Sequence, residues 1–121
     1  MSWKPISEGD LWDDIYRAFD RMTPEQRKIW EAIKIQPEKW QQDPWGNLGG
    51  GFWAVAVFGN NVVWFNDIED GYSQSTYNEY GTIDEYWCNQ EELEWAVQRV
   101  VNLFRDGYGP PGRMGPPQAI T

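Results

Sequence analysis

Six carboxylates, Asp67, Glu69, Asp70, Glu79, Asp84 and Glu85, stand in residues 48–89 with no lysine or arginine among them. Acids in such a stretch could do two kinds of chemistry. A pair converging in an aromatic cleft is what glycoside hydrolysis needs, one carboxyl as acid and the other as base or nucleophile. Side-chain oxygens around a turn could instead hold calcium. Neither pattern is complete. No spacing here favours a catalytic pair over solvated turn acids. Measured back from Gly71 as the loop glycine, Asn66 and Asp70 fit a calcium loop, but Ile68 stands at the third position and Tyr77 at the twelfth, where oxygen ligands are required.

Other catalytic equipment is missing. The chain has no histidine, which removes the usual general base, proton shuttle and metal ligand. Its one cysteine, Cys88, can form neither an intrachain disulfide nor a zinc site by itself. Asp84 and Glu85, close in sequence, disfavour a thiolate, so Cys88 reads as structural rather than nucleophilic. The triple glycine 49–51 leads into an apolar run and no lysine follows it, so it is not a phosphate loop. It signals flexibility or a close backbone approach. The expectation is a noncatalytic protein with no metal and no cofactor.

Rings are the other chemical resource. Aromatic residues make up 17% of the chain, and nine are tryptophans, too many for all to be incidental surface. Trp53, Trp64, Tyr72, Tyr77, Tyr80 and Trp95, with the six acids, form the candidate binding surface. Tyrosine and tryptophan are favoured anchors at interfaces. The formal charge is −9, and residues 48–89 supply −6 of it. Such a field repels phosphate backbones and disfavours nucleic acid. It attracts a basic protein and speeds its docking.

The elements that must position these groups centre on residues 52–65. Two apolar runs, 52–58 and 62–65, flank Gly59-Asn60-Asn61 and predict a β-hairpin. The turn could centre on Gly59-Asn60 or Asn60-Asn61; both registers place the same side chains together. Strict alternation puts Phe52, Ala54, Ala56, Phe58, Val63 and Phe65 on one face, and Trp53, Val55, Val57, Val62 and Trp64 on the other. Neither face is polar, so both need covering, by the chain's own helices or by a partner.

Ser7 caps a helix predicted over about 8–21, with Leu11, Ile15, Phe19 and Met22 on one face, flanked by Trp12 and Tyr16. Thr23-Pro24-Glu25-Gln26 starts a second helix, predicted through roughly residue 35. Residues 36–42 read as one more helical turn beginning at Pro37. Residues 72–80 read as a third, more exposed strand, and 82–87 as a short fourth. Asn89, with Glu92 three positions on, caps a last helix that buries Leu93, Ala96, Val97, Val100, Val101 and Phe104 and leaves Trp95 outside. After Gly107, the sequence Gly109-Pro110-Pro111-Gly112-Arg113-Met114-Gly115-Pro116-Pro117 makes three Gly-X-Y triplets. These are too few for a collagen-type helix and read as a polyproline-like or disordered tail.

The predicted fold is α+β: an antiparallel three- to four-stranded β-meander with an N-terminal helical hairpin and a C-terminal helix packed on it. Residues 1–107 form one domain and 108–121 a tail. The longest apolar run is 52–58, too short to span a membrane, and no secretory signal pattern precedes it, so the expected location is cytoplasmic. Three functions compete. The first is a protein-binding module, immunity- or adaptor-like, whose acidic aromatic sheet surface docks a basic partner. Its size, acidity and ring content are similar to those of small bacterial immunity proteins, without a shared motif. The second is a small-ligand or glycan binder using stacked rings, for which a concave, ring-lined pocket would be diagnostic. The third is a homodimer that packs an apolar sheet face on its own copy.

Overall fold

The computed structural model describes residues 4–43, 50–87 and 90–106. Predictions for Cys88 and the tail lie outside these residues. The last helix starts only at Leu93, with residues 90–92 non-helical, so its start is not the one predicted at Asn89, and Phe104, expected on its buried face, is 53% exposed. Helix α1 is Glu8–Arg21, and the Ser7 hydroxyl caps it by accepting from the Asp10 N–H. Helix α2 is Pro24–Ile33 and opens with a reciprocal box between Thr23 and Gln26, which satisfies two backbone donors that a helix start would otherwise leave bare.

Helix α2 stops earlier than predicted. Lys34 already has extended backbone, and strand β1 runs Lys34–Trp40, where the sequence suggested the end of a helix and then a helical turn. Gln36 precedes Pro37, and a residue before proline is pushed out of the α region. Pro37 is tolerated because β1 is an edge strand, where a missing N–H need not break a ladder on both sides. Strands β2 (Phe52–Phe58), β3 (Asn61–Asn66) and β4 (Gly71–Thr76) follow, and α3 (Leu93–Asp106) closes the order. The four strands form one antiparallel sheet in the order β1-β2-β3-β4. The α+β meander is therefore as predicted, but its fourth strand precedes the hairpin instead of following it.

The hairpin turns on Gly59-Asn60, since Phe58 pairs with Asn61. Its faces differ from strict alternation. Ala54 pairs with Trp64 and Ala56 with Val63, so Val55 is an extra residue on β2. Such a bulge shifts every side chain beyond it to the opposite face. Phe52, Ala54 and Val57 consequently share a face with Val62 and Trp64, while Trp53, Ala56 and Phe58 share the other with Val63 and Phe65.

The chain covers both faces itself. On one, Val55, Val63, Phe65 and Tyr72 pack against Leu11, Ile15 and Ala18 of α1, Trp30 and Ile33 of α2, and Leu93, Val97 and Val100 of α3. On the other, the irregular segment 77–87 lies over Trp40, Phe52, Val62 and Trp64, with Ile83 buried among them and Tyr77 and Tyr86 alongside. Residues 82–87 are thus a cover and not the predicted fourth strand, and the third strand ends at Thr76. Ser73 and Ser75, expected on an exposed strand, are buried. Their hydroxyls donate to the carbonyls of Trp87 (3.2 Å) and Glu85 (3.0 Å). The strand is polar because it holds that segment, not because it faces water.

Candidate functional site: an aromatic groove between the helices and the sheet edge

The residues singled out in the sequence do not form one surface. Trp64 is 0% exposed; its indole donates to the Ser75 hydroxyl at 3.0 Å, and its ring packs 4.7 Å from that of Phe52. Tyr72 is buried against Phe65, and its hydroxyl donates to Asp14 at 2.9 Å. Burial, then the Asp14 carboxylate, pushes that phenol well above its ordinary pKa, so it stays a neutral donor. These two rings are core.

Trp53 is half-buried on the helical side, with its N–H on the Ile6 carbonyl at 3.0 Å and the Lys39 ammonium 4.9 Å from its ring centre. Asp67 reaches the same spot and accepts from the Ile6 N–H at 2.8 Å. Its other oxygen, Oδ1, is buried with no hydrogen-bond partner among the described residues. Desolvation raises the Asp67 pKa, against the pull of that hydrogen bond and of Lys39; desolvation likewise lowers Lys39. Together these groups pin the N-terminal segment to the sheet.

Tyr77 and Tyr80 lie at the opposite face, with rings 5.0 and 4.7 Å from Trp40. Tyr77 donates to the Gly59 carbonyl at 3.0 Å. The Tyr80 hydroxyl is pushed up to about 12, first by its hydrogen bond to Glu38. Glu85 accepts from the Thr76 N–H at 3.0 Å. Glu69 is half-buried, whereas Asp70, Glu79 and Asp84 are exposed. Trp95 is 57% exposed on the outside of α3. Among the described residues, no group of three or more acids or cysteines is placed to hold a metal ion, and no helix is long and apolar enough to cross a membrane.

A polar cleft of about 290 Å³ brings Asp70 and Tyr72 together with Asp14, Arg17, Arg21, Glu91 and Glu92. Both of its arginines are already paired with acids. Arg21 pairs with Glu92 and, at 2.6 Å, with Glu94; Arg17 faces Asp14 at 3.6 Å. The cleft is an internal brace joining α1, β4 and the start of α3.

The second concavity is built differently. A groove of about 260 Å³ runs between α1, α2 and the start of β1, lined by Trp12, Ile15, Tyr16, Phe19, Trp30, Glu31, Lys34 and Ile35. Trp12 and Tyr16 stack one helical turn apart, with ring centres 5.5 Å apart and planes 27° apart. Tyr16 is 61% exposed, so that stack presents an open wall. Trp30 is buried in the floor. The Arg27 guanidinium sits 4.7 Å over the Phe19 ring and donates to the Phe19 carbonyl at 3.0 Å, fixing the far end. At the lip Glu31 and Lys34 pair at 2.7 Å, and Glu8 accepts from the Trp12 indole at 3.3 Å.

None of these four rings was singled out as a site residue. The signal was present: Trp12 and Tyr16 form a second stripe at i, i+4 beside the core stripe of α1, more apolar width than one buried face needs. Known protein families, curated proteins and solved structures offer no match to the chain.

Proposed function

We propose that this protein is a noncatalytic protein-binding module whose site is the groove between α1, α2 and β1. The single observation that supports this is the exposed Trp12–Tyr16 stack standing over a floor made by Trp30. Rigid rings in a partly open concavity bind at low entropic cost and act as anchors. The occupant this favours is a short extended segment of a partner protein, apolar or proline-containing, with a cation beside it to suit the −9 chain.

The concavity also supports a second reading, a small aromatic ligand. At about 260 Å³ the groove is below the usual range for small-molecule sites. Its polar groups are a paired Glu31–Lys34 lip rather than several converging donors. The peptide reading therefore ranks first.

Panning a displayed peptide library on the full chain tests it. Enriched peptides should lose about tenfold in affinity on Tyr16→Ala, about 1.4 kcal/mol, and bind a Trp95→Ala variant unchanged. Tyr16 is solvent-exposed, so its loss should leave folding intact. No enrichment, or binders indifferent to Tyr16, would overturn the peptide reading. Small aromatic fragments binding there when peptides do not would establish the second.

A further inference from the structure

We infer that the groove's resident occupant is the chain's own proline-rich segment, residues 107–121, docking in cis; this rests on the groove being a binding site. Three observations carry it.

The first is reach. The last described turn of α3 lies beside the first turn of α2, with Arg105 3.9 Å from Glu25. From Glu25 to the groove residues Trp30 and Lys34 is about 8 to 14 Å along α2. The segment that continues from Asp106 spans up to about 50 Å when extended, so it reaches with slack.

The second is chemistry. The segment holds two Pro-Pro pairs, Pro110-Pro111 and Pro116-Pro117. Proline rings pack flat on tryptophan and tyrosine, and a chain already restricted at φ loses little entropy on docking. In a polyproline-type conformation backbone carbonyls carry no internal hydrogen bond. An exposed donor stands ready for them in the Tyr16 hydroxyl.

The third is charge. Arg113, between the two pairs, is the only charged side chain in 107–121. Glu8, which accepts from the Trp12 indole beside the groove, offers it an exposed carboxylate. Tethering makes weak contacts sufficient. An effective concentration near millimolar fills the groove roughly half the time even for a peptide of about 1 mM affinity. A partner segment would then have to displace the tail, which makes it a built-in competitor.

The test uses the full chain. A spin label is attached at Ala119→Cys in a Cys88→Ser background, and the protein signals are read by NMR at low concentration. The expected result is broadening of the Trp12 and Trp30 indole N–H signals and the Tyr16 amide. Replacing Pro110, Pro111, Pro116 and Pro117 by alanine should relieve it. The same replacement should tighten a groove-binding peptide from panning about two- to fivefold. Absence of broadening at the groove would overturn the inference. So would equal broadening on isotope-labelled chains without a spin label when they are mixed with spin-labelled chains, which would make a second copy the occupant. A panned peptide that shifts the same indole signals would leave the binding reading standing after either failure. If neither tail nor peptide moves them, both readings fall.

Discussion

Gly51 shows how one residue can decide a corner of this fold. Its φ is +107°, and a Cβ there would lie 2.5 Å from the Trp40 carbonyl oxygen, where β2 begins against the end of β1. Gly50 also has positive φ, +83°, but opens onto free space. Gly51→Ala should therefore cost more than about 2 kcal/mol, from strain plus displaced backbone. Gly50→Ala should cost only about 1 kcal/mol, the conformational part. Urea denaturation of the pair reads the difference, and equal losses would refute the close approach. The glycine run at 49–51 signalled an approach or a flexible link; which glycine makes the contact required a partner strand that the sequence did not mark.

Asp67 gives a pH signature at the same scale. Burial lifts its pKa above the ordinary carboxylate value, more than the Ile6 N–H and Lys39 lower it. The folded chain holds that proton more tightly than the unfolded chain. Its contribution is thus present below the ordinary pKa and is lost as pH rises through the raised folded value. Asp67→Asn can still accept from Ile6, so it should flatten the loss that the parent shows from about pH 4 upward. Urea midpoints measured across that window would differ in slope, and parallel curves would show that Asp67 carries no such linkage.

At the scale of elements, the helices were legible because their signals are local. Ser7, Thr23, Pro24 and Gln26 mark helix starts through bonds to residues three positions away, and that information sits in short windows. Strand β1 was not legible. Lys34-Ile35-Gln36-Pro37-Glu38-Lys39-Trp40 has no period-two pattern, and its edge position, which accommodates both proline and charge, is a property of the whole sheet. The bulge at Val55 was equally hidden, since nothing in 52–58 distinguishes an extra residue from a paired one.

Segment 77–87 settles which rings are core. Because it lies over Trp64, Trp64→Ala should cost about 4 kcal/mol. Trp95→Ala, on the outer side of α3, should stay within about 0.5 kcal/mol. Thermal or urea unfolding separates the two, and a small loss at Trp64 would mean that the cover does not form.

For the molecule as a whole, covering both sheet faces removes the reason for the chain to pair with itself through the sheet. Light scattering at micromolar concentration should return 14.2 kDa, the mass of one chain; twice that mass would require an interface elsewhere. The sequence by itself determined the fold class, the starts of α1 and α2, the presence of the hairpin and the excess of acid, because each depends on neighbours in the chain or on composition alone. Tertiary structure alone decided which aromatic residues are buried, where the sheet gains its fourth strand, and that a ring-lined groove forms between α1, α2 and β1. Those outcomes depend on contacts between residues far apart in sequence, Trp64 beneath Ile83 or Trp12 beside Lys34, which no local pattern encodes.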